Sequence, residues 1–110
     1  MSKKQIKTWE SKRDFKEEVY KISNKLKVKV NRVTIREMNK KWASCSTHGF
    51  FTFNIELLGM ERKFGEYVIL HEIMHLRVPN HSKLWKSLME AHMPDYKEKE
   101  VALKVYEIDK

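Results

Sequence analysis

Two histidines four residues apart, His71 and His75, stand inside an apolar stretch that includes Ile69, Leu70, Ile73 and Met74. Phe64, Val68, Ile69, Ile73 and Leu76 recur at helical spacing, so the segment from Met60 to about Val78 is predicted to form one broadly buried helix. On a helix, positions i and i+4 lie one turn apart on the same face, and both imidazoles therefore point the same way. Two histidines without partners are costly to bury among apolar neighbours. The segment thus demands a helix and a ligand shared by its histidine pair. Pro79 stops the helix, because the residue before a proline avoids the helical region. Gly65 weakens it by up to about 1 kcal/mol.

The rest of the chain supplies what packs around this helix. Phe15, Val19, Ile22 and Leu26 share one helical face, which predicts an amphipathic helix over residues 8–26 with Thr8 or Ser11 at its start. From Val28 the period changes to two: Val28 and Val30, then Val33 and Ile35 after Asn31-Arg32. Trp42 to Ser46 and Phe50 to Ile55 read as strands joined by a turn at Thr47-His48-Gly49. Three strands in succession point to an antiparallel meander. Leu84, Trp85 and Leu88 mark a third helix, from about His81 to Ala91 and ended by Pro94. Tyr96, Leu103 and Tyr106 mark a last one from Asp95. The expected fold class is α+β: an N-terminal helix, a small and mostly antiparallel sheet of about three strands, the histidine-bearing helix and two further C-terminal helices. At 110 residues this is a single domain, 1–110, with one modest core.

His71-Glu72-Ile73-Met74-His75 is the HExxH pattern. Zinc takes nitrogen ligands at about 2.0 Å, and a catalytic site keeps three protein ligands and one open position. Glu72, next to the first histidine, is placed to take a proton from a water in that position and later deliver it to a leaving group. The expected cofactor is Zn2+, with His71 and His75 as metal ligands and Glu72 as the catalytic base. Hydrolysis of a polypeptide is the expected reaction. For the third ligand, His81 lies six residues beyond His75, just past the Val78-Pro79-Asn80 break, and is preferred over Glu90. His92 and His48 are weaker rivals, read as surface histidines. The HExxH-x5-H spacing also matches the metzincins, but their glycine is Val78 here, and Val78-Pro79 does not copy the turn which that glycine permits.

With these residues in view, KKWASCS, YVILHEIMHLRVPNHSKLW and MPDY resemble the minimal-scaffold metallopeptidases called minigluzincins and the related YgjP-like metal-dependent hydrolases. The likeness runs from about Ile35 to Tyr96. It implies a zincin-like minimal scaffold, with His71, His75 and His81 as ligands and Glu72 as base. It also implies that an edge strand, Trp42 to Ser46 or Phe50 to Ile55, borders the cleft and pairs with an extended peptide. Family members are kept latent by C-terminal segments, which makes residues 95–110 a candidate regulatory helix of a zymogen. Ala43 departs from the family glycine in WGSCS, and Gly59-Met60-Glu61 replaces a proline-rich helix start. Cys45 is read as a small packed residue rather than a ligand. Tyr96 is read either as an oxyanion partner or as packing, and Trp9, Trp42 and Trp85 as core or cleft wall.

Charge and cysteine content narrow the setting. The net charge of +8 permits an acidic or nucleic-acid partner, but the lysines are interspersed with glutamates and no base-stacking motif is present, so nucleic acid is not the favoured partner. A single cysteine excludes an intrachain disulfide framework. The lysine-rich start lacks the apolar core of a secretory signal, and no run approaches the ~20 apolar residues of a membrane span. The cytoplasm is the expected location. Two other functions compete: hydrolysis of a non-peptide substrate such as a nucleotide, against which the lack of a Gly-rich phosphate cradle counts, and a non-catalytic, metal-stabilised interaction domain. The amphipathic tail from Asp95 to Lys110 would then cover the cleft or join two chains as a homodimer.

Overall fold

A computed structural model describes residues 8–78 and 83–108, with side chains to residue 105. The element order is α1 (Lys12–Lys25), β1 (Arg32–Arg36), β2 (Ala43–Cys45), β3 (Phe50–Asn54), a 3-10 turn (Ile55–Gly59), α2 (Arg62–Arg77), α3 (Lys83–His92) and α4 (Tyr96–Ile108). This is the α+β class expected from the sequence. The Pro79 helix stop and His81 lie outside the described residues.

Helix α1 starts where its cap is written: the Ser11 side chain accepts a hydrogen bond from the backbone N–H of Asp14 (3.1 Å), while the Asp14 carboxylate accepts from Glu10 N (3.0 Å). Phe15 and Val19 carry its buried face. It ends in a Schellman turn, in which Val28 N donates to Ser23 O (2.9 Å) and Lys27 N to Asn24 O (3.2 Å), with Lys27 at φ 59°. That turn takes up Val28 and the residues after it. The strand expected from Val28 therefore begins only at Arg32, although Val28 and Val30 still pack on the core.

The three-stranded sheet has the order β1-β3-β2 and is mixed, which corrects the mostly antiparallel meander. β1 runs parallel to β3, from Arg32 opposite Phe50 to Arg36 opposite Asn54, and only β2 pairs antiparallel, through a hairpin. Two features set this connectivity. At the start of the strands, Gly49 (φ 86°) closes the hairpin and its carbonyl accepts the N–H groups of both Asn31 and Arg32, so β1 begins beside the beginning of β3. A Cβ at Gly49 would stand 3.0 Å from Lys29 O, which leaves room for glycine alone. At the other end, the buried Asn54 side chain donates to Met38 O (3.1 Å) and Lys41 O (2.9 Å) and accepts from Glu56 N (3.0 Å). It pins residues 37–42 as they pass around the end of β3, from one sheet edge to the other.

Helix α2 is the axis of the molecule. Phe64, Tyr67, Val68, Ile69, Leu70, Ile73 and Met74 are buried around most of its circumference. It packs on α1, α3, α4, the 3-10 turn and β2. Gly65 lies against the Trp9 ring, where an added Cβ would come within 2.6 Å of the indole nitrogen. Arg62 closes this corner, its guanidinium 3.9 Å above Trp9 and 2.6 Å from the Asp14 carboxylate. No helix among the described residues is long and apolar enough to cross a membrane.

Candidate active site

The stripe of α2 that is not fully buried contains His71, Glu72 and His75. Helical spacing stacks the two imidazoles, with ring centroids 4.5 Å apart and planes at 80°. The donor atoms of His71, Glu72 and His75 all lie within 4.8 Å of one another, the one such group among the described residues. His71 Nδ1 lies 3.5 Å from a Glu72 carboxylate oxygen, and these side chains keep 23% and 15% of their surface exposed. Two nitrogen donors and a carboxylate converging at a half-buried place fit a zinc ion in donor type and spacing.

Aromatic residues hold the pair. Trp85 of α3 meets His71 edge-on (5.4 Å) and His75 at a tilt (6.2 Å), while Tyr67 packs on the other side of His71 (5.6 Å). Tyr96 is buried behind Trp85 at 6.1 Å. Its ring packs edge-on against Trp85, the residue that touches both histidines.

That cleft holds about 290 Å³ and is walled by three elements: Trp42 and Ala43 from the sheet edge, Tyr67, Val68, His71 and Glu72 from α2, and Glu100, Leu103 and Lys104 from α4, with Lys41 at its rim. The sheet edge is tied directly to the histidine helix, since the Cys45 thiol donates to the Glu72 carbonyl (3.7 Å). Burial, and then the nearby Glu72 carboxylate, pushes the Cys45 pKa up to about 11. The thiol's bond to the Glu72 carbonyl suits a packed residue, and Cys45 is not among the donor atoms that converge at His71, Glu72 and His75.

The other candidates fall elsewhere. His48 is exposed in the hairpin turn, stacked on Phe50, and Glu90 is exposed on α3. His92 lines a separate cleft with Glu18 and Glu66 between α1 and α2. Burial and the facing Glu18 raise the pKa of Glu66 there. Tyr67 was not singled out from the sequence, although its place one turn before His71 was the signal for it. Glu100, Leu103 and Lys104 carried no local signal, because only the docking of α4 brings them to the cleft.

Residues 1–106 match the family described as "YgjP-like, metallopeptidase domain". The crystal structure of the metallopeptidase zymogen of Pyrococcus abyssi abylysin superposes with a TM-score of 0.73 at 22% identity, covering 84% of this chain and 93% of that one. The metallopeptidase zymogen of Methanocaldococcus jannaschii jannalysin gives a TM-score of 0.71 at 23% identity, again over 84% of this chain and 93% of that one. These likenesses establish a common fold. The search of curated proteins finds no match.

Proposed function

The chain belongs to the YgjP-like metallopeptidase family, and from that premise we propose a zinc-dependent peptidase with His71, His75 and His81 as ligands and Glu72 as general base. The observation that carries this reading is the convergence of the donor atoms of His71, Glu72 and His75, the first two of which line a cleft bordered by a sheet edge. For His81 the support is spacing: Trp85 packs on both histidine rings, and four residues of chain span at most about 14 Å.

When bound, zinc supplies Lewis acidity for the carbonyl and lowers the pKa of water towards neutrality. The remaining work belongs to side chains of this protein. Glu72, with only part of its surface in solvent, takes the proton of the attacking water and hands it to the leaving amine. Trp85 and Tyr67 fix the planes of the histidine rings. β2, paired on one side only among the described residues, offers its other edge to an extended peptide. Glu72→Gln is expected to keep its metal by elemental analysis and to lose turnover by about 10²- to 10⁴-fold. Unchanged turnover in that variant overturns the mechanism. His81→Ala is expected to lose zinc on dialysis.

Residues 95–110 act in this reading as a regulatory segment. Leu103 of α4 is 3% exposed and lies in the cleft wall with Glu100 and Lys104, beside His71 and Glu72. Leu103→Asp is expected to lift the helix away and raise peptidase activity. A variant that loses its fold by circular dichroism would make the helix purely structural. Val101 and Val105 leave apolar surface on the outer side of α4, at 63% and 60% exposure, which supports pairing of two copies through this helix. Sedimentation of Val101→Lys/Val105→Lys against the parent protein tests it. The unpaired, half-buried Cys45 suits the reducing cytoplasm.

A further inference from the structure

A second groove, of about 400 Å³, adjoins the cleft. It is lined by Arg36, Met38, Asn39, Lys40, Lys41 and Ser44, three cations and no carboxylate. Lys41 lines both spaces, and Ser44 belongs to the edge strand β2. The two concavities therefore share Lys41, just before the strand whose edge is offered to substrate in the reading above.

The backbone that carries these cations is held in place. Asn54 bonds to the carbonyls of Met38 and Lys41, and Arg36 Nη1 donates to Glu37 O at 3.0 Å. None of Arg36, Lys40 and Lys41 forms an ion pair among the described residues. All three are exposed. The segment from Arg36 to Lys41 sets these three cations against one carboxylate, that of the exposed Glu37, which pairs with none of them among the described residues. The segment keeps a net positive charge that an anionic group of the right reach relieves.

We propose that Arg36, Lys40 and Lys41 form a subsite for an acidic side chain of the peptide substrate and so set cleavage preference. This rests on the peptidase reading above. A peptide extended along β2 advances about 3.3 Å per residue, so the acidic residue falls at a fixed number of positions from the cleaved bond, on one side of it only. A nucleic-acid strand is the less fitting occupant: the groove is short and its lining has no aromatic residue for base stacking.

The test uses the full-length, zinc-loaded chain carrying Leu103→Asp, with peptides identical except for Asp, Gln or Lys at one position flanking the cleaved bond. Asp is expected to exceed Gln in kcat/KM by at least about fivefold at one flanking region, and the margin should shrink as ionic strength rises from ~0.05 to ~0.5 M. In Arg36→Gln/Lys40→Gln the Asp-to-Gln ratio should fall towards one. In Arg36→Glu/Lys40→Glu the preference should pass to Lys. Equal rates for Asp and Gln peptides, or an Asp preference that survives the double glutamine variant, overturns the proposal. Binding of the same peptides to the Glu72→Gln form, read by fluorescence anisotropy, separates the two readings. If no peptide is cleaved but Asp peptides bind better and lose that advantage with Arg36 and Lys40, the peptidase reading falls and the subsite stands. If neither cleavage nor such binding occurs, both fall. Stronger Arg36- and Lys40-dependent binding of a single-stranded oligonucleotide than of any acidic peptide overturns the proposal in favour of a nucleic-acid face.

Discussion

Lys27 holds a left-handed backbone after α1, in the position that glycine fills in most helix-ending turns of this kind. An L-residue there costs about 1–2 kcal/mol in the folded state, and glycine returns part of that difference through its freer unfolded chain. Lys27→Gly is therefore expected to stabilise the protein by about 0.5–1 kcal/mol, read as a higher urea midpoint at unchanged slope. Asp14 gives a pH-dependent counterpart. The backbone N–H of Glu10, with the Arg62 guanidinium beside it, holds its carboxyl below the ordinary value in spite of partial desolvation. A carboxyl whose folded pKa is depressed adds stability above its unfolded value of about 3.9, and that stability is lost as pH falls through the folded pKa. Asp14→Asn should thus lower the urea midpoint at pH 7, and the gap to the parent should close in strong acid. Ser11 was legible in the sequence as one of two cap candidates, beside Thr8, because caps favour a small hydroxyl residue just before the apolar periodicity, whereas the part played by Asp14 was not read. Lys27 was not legible, since nothing in a lysine announces a left-handed turn.

Among the elements, the sheet depends on a single asparagine. Asn54→Ala removes both side-chain donors to Met38 O and Lys41 O and the acceptor for Glu56 N. The expected cost is about 2–3 kcal/mol in chemical denaturation. Gly65→Ala is a case of opposed effects: alanine gains about 1 kcal/mol of helix propensity, but its Cβ meets the Trp9 ring at 2.6–2.9 Å. Displacing a buried indole costs about 1–3 kcal/mol, so the thermal midpoint should fall and not rise. Helix α2 was readable almost to its ends, because a broad apolar face and a proline stop are local signals. The strands were readable as segments but not as a sheet. Period-two alternation says which residues pair, whereas the carbonyl of Gly49 and the side chain of Asn54, acting across some 17 residues, say with what.

For the whole molecule, the half-buried donors of α2 sit at the centre of the packing, so a metal there should stabilise all of it. Zinc at about 100 times its dissociation constant is expected to add about 2.7 kcal/mol to unfolding, and His75→Ala should abolish that increment. The convergence of the histidine pair and Glu72 was legible from five residues of sequence, but the cleft lined by His71 and Glu72 was not. Its third wall is α4, whose Leu103 looks in sequence like any other residue of an amphipathic helix. The order β1-β3-β2 also bears on how the chain comes to be made. The middle strand is the last of the three in the sequence, and Arg32 waits for Phe50, eighteen residues on. During synthesis neither outer strand has a neighbour until Asn54 has emerged, so the sheet assembles in one late step instead of growing hairpin by hairpin.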